Sequence, residues 1–106
     1  MLVHTKPEAL QITNDEWLIV SKILAKHVGH YKVWAFGSRV HPNHPKPYSD
    51  LDLVVFADSH FSIAQYSEIK EAFDESNLPW KVDLLNWLTL SDSFKTIIQK
   101  HYIEIQ

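Results

Sequence analysis

The run Ser49-Asp50-Leu51-Asp52-Leu53-Val54-Val55-Phe56 admits few structures. Acidic and apolar residues alternate at its start, and it closes on β-branched and aromatic side chains, which is the pattern of a strand. On an extended backbone Asp50 and Asp52 point to one face, about 7 Å apart at their Cα atoms. Leu51, Leu53 and Val55 occupy the opposite phase and can bury. Such a strand has a core beneath it and two carboxylates at the mouth of its other face, an arrangement suited to a divalent cation.

Two further segments match it. Lys32-Val33-Trp34-Ala35-Phe36 reads as a preceding strand, ended by Gly37 and Ser38. The chain has only two glycines, so one placed between a strand and a serine marks a turn that needs close backbone approach. Amides and a hydroxyl after such a turn can hold phosphate oxygens. Trp80 to Leu85 reads as a third strand, with Trp80, Val82 and Leu84 in one phase and Lys81, Asp83 and Leu85 in the other. If its apolar phase joins that of the second strand, and the two are neighbours, Asp83 emerges beside Asp50 and Asp52.

Helical signals fill the remainder. Thr13 and Glu16 form a capping box, and Ile12 and Trp17 fall at the positions of a hydrophobic staple. Trp17, Val20, Ile23, Leu24 and Val28 follow at helical spacing, predicting a helix over about 14–28 with Gly29 as a left-handed cap. Ile63, Tyr66, Ile69, Lys70 and Phe73 predict a second helix. Ser91 or Asp92 opens a third, carrying Phe94, Ile97, Ile98 and Tyr102. Residues 1–12 read as a loose lead-in, and the prolines between His41 and Tyr48 exclude a long helix there. The order is helix, strand, loop or short helix, strand, helix, strand, helix. It predicts one domain over 1–106 of α/β (α+β) class, a small mixed sheet with helices mainly on one face.

Composition narrows the function. A hydrophobic content of 45% supports one real core, and a net charge of −3 argues against a general nucleic-acid coat, so no direct nucleic-acid binding is expected. Without cysteine there is neither a disulfide nor a thiolate metal site. With no signal peptide or membrane-length apolar run, the expected location is the cytoplasm.

Asp50, Asp52 and Asp83 gathered on one sheet face would repel one another, and a hard cation such as Mg2+ or Mn2+ relieves that. The connector after Ser38 carries Arg39, His41, His44 and Lys46 and no acid, which suits a metal-bound triphosphate. Each feature alone has an ordinary reading. An Asp-x-Asp at a strand start is commonly turn chemistry. His41 and His44 read as solvated, and Trp34, Trp80 and Trp87 as core. Ser38 has no histidine base by spacing, and no Gly-Lys-Ser/Thr follows the glycine, so neither a nucleophilic serine nor a P-loop is indicated. The conjunction is the specific signal.

In that conjunction, Phe-Gly-Ser-Arg, Ser-Asp-Leu-Asp-Leu and Val-Asp-Leu-Leu, the chain resembles a minimal nucleotidyltransferase of the DNA polymerase β superfamily over about residues 13–104. The resemblance implies a nucleotidyltransferase fold. It implies that Asp50, Asp52 and Asp83 are catalytic and bind metal, and that Gly37 and Ser38, with Arg39 assisting, bind the β- and γ-phosphates of a nucleoside triphosphate, with ATP as donor. Chains of this size resemble the antitoxins of HEPN/MNT toxin–antitoxin pairs, which implies a HEPN-type protein partner that accepts AMP on a hydroxyl and supplies part of the cleft. Many relatives carry a small residue, Arg and Gly after Gly-Ser, where this chain has Arg39-Val40-His41. Two rival functions are a binding module that neutralises its partner by occlusion, and transfer to a small hydroxylated molecule such as an antibiotic.

Overall fold

A computed structural model describes residues 5–41 and 45–106; His44 lies outside them. The elements are α1 (Asn14–Val28), β1 (Val33–Phe36), β2 (Leu51–Val55), α2 (Ile63–Asp74), β3 (Val82–Asn86), α3 (Asp92–Lys100) and β4 (Tyr102–Glu104). A 3-10 turn, Gly37–Val40, follows β1. The sheet has the order β3-β2-β1-β4. β1 is antiparallel to β2 and β4, whereas β2 and β3 are parallel. A parallel pair needs a long crossover, and α2 supplies it. The α+β class and mixed sheet therefore match expectation, with β4 as an additional strand.

Local chemistry explains the first helix. Thr13 Oγ1 accepts from Glu16 N at 3.1 Å and Glu16 Oε1 accepts from Thr13 N at 2.8 Å, while Ile12 and Trp17 both bury. Its far end differs from expectation: Gly29 is right-handed, at φ −61°. No left-handed turn is required, because the side chain of Gln106 donates to the carbonyls of Val28 at 2.8 Å and Tyr31 at 2.9 Å.

Alternation along the strands makes two apolar faces. Val33, Ala35, Leu51, Leu53, Val55 and Leu84 pack under Trp17, Val20, Leu24 and Val28 of α1 and Ile69 and Phe73 of α2. Trp34, Phe36, Val54 and Leu85 lie on the other face, covered by Phe94 and Ile98 of α3. Helices thus sit mainly on one face, but α3 crosses to the carboxylate side, where an i, i+4 pair of apolar residues matches a small aromatic patch. Several expected helix contacts fail, Ile97 of α3 among them at 60% exposure. The buried residues of α2 fall in its C-terminal half, leaving Ile63 89% exposed and Tyr66 exposed. Tyr102 lies beyond α3 and opens β4, stacked on Trp34 with ring centroids 3.6 Å apart.

The lead-in is not loose throughout. Leu10 and Ile12 are buried in the core, and Gln11 N donates to Arg39 O at 2.7 Å. Arg39 completes this clasp from its own side chain. Its Nε donates to Ser49 O at 2.8 Å, Nη1 to Gln11 O at 2.9 Å and Nη2 to Pro47 O at 3.1 Å. The guanidinium lies 4.6 Å above the ring of Trp80 and is buried. Desolvation lowers its pKa, with Glu16 and then Asp50 acting in the opposite direction. A planar fork is required to serve three carbonyls, and an ammonium cannot reproduce it. Arg39→Ala should cost about 2–4 kcal/mol of unfolding free energy by urea titration, because a buried guanidinium and its three charged hydrogen bonds are lost. Arg39→Lys should recover less than half of that loss; full recovery would mean that the three-way clasp contributes nothing.

Candidate active site

The parallel pairing sets the site. Asp52 of β2 lies directly opposite Asp83 of β3, and Phe36, the residue before Gly37, lies opposite Asp52 on the other side. The condition left open by the sequence, that the second and third strands be neighbours, is met. Leu51, Leu53 and Val55 are fully buried beneath, so phase alone sends both carboxylates to the α3 side. Asp50 stands just ahead of β2 and is exposed, in the same phase as Asp52.

Gly37 is where the backbone demands glycine. Its φ is +79°, a conformation that side-chain-bearing residues seldom adopt. A Cβ there would run into the Asp52 carboxylate, with Cγ at 3.2 Å and Cβ at 3.4 Å. The turn and the acid are therefore in van der Waals contact. No side chain caps the 3-10 turn Gly37–Val40, so its leading amides are available to an anion, and Ser38 beside them is exposed.

Electrostatics single out Asp52. Burial, then the charge of Asp83, then that of Asp50, push its carboxyl up from 3.8 to about 6. An acid held that high is short of a counter-charge, and among the described residues its neighbourhood supplies no salt-bridged cation. This all-oxygen, charge-starved pair fits a hard divalent cation. Among the described residues no three His, Asp or Glu side chains group tightly enough to ligate one ion by themselves. Asp52 and Asp83 would hold it, and water and substrate oxygens would complete the shell, the habit of magnesium.

A cavity of about 530 Å³ opens over these groups. Gly37, Asp52 and Asp83 line it together with apolar Phe36, Leu85, Phe94, Ile97 and Ile98, and with His41, Lys100 and His101. Asp50 and Ser38 flank it without lining it. Arg39 is the sequence candidate that the structure places elsewhere: its guanidinium lies over Trp80 with Nε, Nη1 and Nη2 each donating to a carbonyl, and it does not line this cavity. His41, read as a solvated histidine, is exposed but stacks flat on His101, with ring centroids 4.6 Å apart and 2° between planes. Lys100 and His101 were not singled out by sequence. They lie where α3 hands over to β4, and only knowledge of that last strand would have placed them beside the turn.

Residues 19–105 match the family model described as a nucleotidyltransferase domain, well over half of the chain. Over 97 residues the chain is 48% identical to a protein of Haemophilus influenzae named "Probable protein adenylyltransferase MntA", covering 92% of this chain and 84% of that one. A crystal structure of a protein from Shewanella oneidensis superposes with a TM-score of 0.63 at 15% identity, covering 84% of this chain and 67% of its own, a likeness of fold. With the Gly-Ser turn packed on one of two register-paired aspartates and a family match across nearly all of the sheet and helices, the chain belongs to the nucleotidyltransferase domain family.

Proposed function

We propose that this chain transfers AMP from ATP to a hydroxyl of a HEPN-type partner protein, and so acts as the antitoxin of a toxin–antitoxin pair. The observation carrying the transfer reaction is the register pairing of Asp52 with Asp83 against the Gly37 turn. The protein acceptor is supported by the 48% identical Haemophilus relative, itself named as a probable protein adenylyltransferase.

The chemistry assigned to the residues follows from their surroundings. Ser38 and the uncapped amides of its turn donate to the outer phosphates of the triphosphate. Asp83, the more exposed of the paired acids, accepts the proton of the incoming hydroxyl. The new bond joins that oxygen to the α-phosphorus, the bond from the α-phosphorus to its bridging oxygen breaks, and pyrophosphate leaves. Bound Mg2+ would supply charge neutralisation to the phosphates and to Asp50, Asp52 and Asp83. The apolar wall of Phe94, Ile97 and Leu85 keeps water from the reacting atoms.

Labelled ATP, magnesium and the partner toxin test the reaction directly. Label should appear on the toxin with the unaltered chain, and Asp83→Ala or Asp52→Ala should reduce the rate by about a hundredfold or more. Neutralisation of the toxin that survives both substitutions, without label transfer, would establish occlusion instead.

The raised pKa of Asp52 makes a separate prediction. Its folded-state value lies above its unfolded one, so between about pH 4 and 6 the folded state binds more protons and stability falls as pH rises. Asp52→Asn should abolish that fall, leaving the metal-free variant more heat-stable than the parent at pH 7. Adding magnesium should raise the parent's melting temperature and leave the variant's unchanged. A parent that is equally stable at pH 4 and pH 7, with no magnesium response, would contradict the charge-starved site.

Gly37→Ala probes the turn. The substitution forces a strained φ and displaces the Asp52 carboxylate, so both ATP binding and transfer should fall while circular dichroism retains the fold. Calorimetry showing undiminished ATP affinity would remove the turn from the binding site.

A further inference from the structure

The cavity has an acidic end and a basic one, and the sheet register orders them. Asp83, Asp52, Phe36 and Tyr102 lie opposite one another in a single cross-strand row. Gly37 directly follows β1 and His101 directly precedes β4, so the antiparallel register that pairs Phe36 with Tyr102 leaves them level, and both line the cavity. Strands are spaced about 4.8 Å apart, so β2 and β4 are separated by about 10 Å across the Gly37 turn. A triphosphate whose α-phosphate sits at the acids would run its tail across the turn toward β4.

That tail needs positive charge. Arg39, the cation nearest in sequence to the Gly-Ser pair, is committed to three carbonyls on the far side of the sheet. The basic groups in the cavity are His41, Lys100 and His101. Among the described residues neither His41 nor Lys100 makes a hydrogen bond or ion pair, so their donors are free. His101 is engaged: its Nε2 donates to Val40 O at 2.7 Å, fixing the last residue of the turn, and its ring lies flat under that of His41. The stack sets the plane and direction of the His41 ring.

We propose that His41 and Lys100 bind the β- and γ-phosphates of the donor nucleotide and the departing pyrophosphate, with His101 as the positioning residue that holds His41 and the turn in place. This rests on the nucleotidyltransferase reading of the same cavity and names the side chains that replace Arg39 in it. The chemical class recognised is a polyphosphate chain, independent of the base attached to it.

The test compares ATP, AMP and inorganic pyrophosphate by calorimetry in the presence of magnesium, using the full chain. The unaltered protein should bind ATP tighter than AMP and should bind pyrophosphate. His41→Gln and Lys100→Gln should each weaken ATP and pyrophosphate binding about five- to tenfold, leaving AMP affinity unchanged. Lys100→Arg should retain ATP affinity. His101→Gln should raise the KM for ATP more than it lowers kcat, because it acts through His41. Circular dichroism and melting temperature verify that each variant is folded, and should a histidine variant not be, the test rests on Lys100→Gln, whose parent side chain makes no hydrogen bond or ion pair among the described residues. Variants that keep the parent's preference for ATP over AMP would overturn the assignment while the nucleotidyltransferase reading stands. An unaltered chain that binds no ATP would overturn both.

Discussion

The parallel pairing of β2 with β3 brings two like charges face to face, and much of the molecule serves that pairing. A parallel neighbour cannot be reached by a tight turn, so the chain leaves the sheet through α2 and returns at the other edge of β2. The register is then fixed from below. Leu51, Leu53 and Leu84 are buried against the two helices, and a slip of one residue would turn this whole apolar row outward and bury Asp52 and Asp83. Hydrophobic burial on one face therefore enforces electrostatic repulsion on the other. The raised pKa of Asp52 is the local record of that conflict, and burial contributes more to it than either neighbouring charge.

Much of this was legible in the sequence because it depends on period two and on short-range chemistry. The phase of Asp52 with Val54, and of Asp83 with Leu85, follows from alternation alone, and the Thr13 capping box fixes the start of α1 within a single turn. What escaped depends on contacts between distant segments. β4 is only three residues long, too short for alternation to announce it, and its Tyr102 reads equally well as the end of the preceding helix. Gly29 invites a left-handed cap, yet Gln106, at the opposite end of the chain, satisfies the carbonyls that such a cap would serve. Leu10 and Ile12 are ordinary apolar residues in a proline-containing lead-in, and nothing local reveals that Arg39 will clasp the backbone between them.

Arg39 illustrates why charge in a motif does not locate charge in a site. It follows Gly37 and Ser38 directly, and a sequence reading assigns it to phosphate. A 3-10 turn places successive residues about 120° apart, however, so Ser38 and Arg39 leave the turn in different directions. The first is exposed, while the second passes to the core side and stacks on Trp80. There its three donors hold the lead-in and the proline-rich connector to the edge of the sheet. The guanidinium thus stabilises the frame of the turn from outside the cavity that Gly37 lines.

With Arg39 removed from the cavity, its polarity has to be set by elements remote in sequence. β4 joins the sheet through β1, and in doing so brings His101 to the rim next to Gly37, where its bond to Val40 ties the end of the Gly37–Val40 turn to the last strand. Just beyond that strand, Ile105 enters the core and Gln106 reaches the end of α1. Core packing, helix capping and the geometry of the turn consequently share one short edge strand and the residues flanking it. A disturbance of β4 would therefore reach the site by loosening the turn against Asp52, even though β4 contributes no acid to it. That coupling separates the two ends of the cavity physically: the acidic end is held by burial beneath β2 and β3, and the basic end by the closure of the chain on β1.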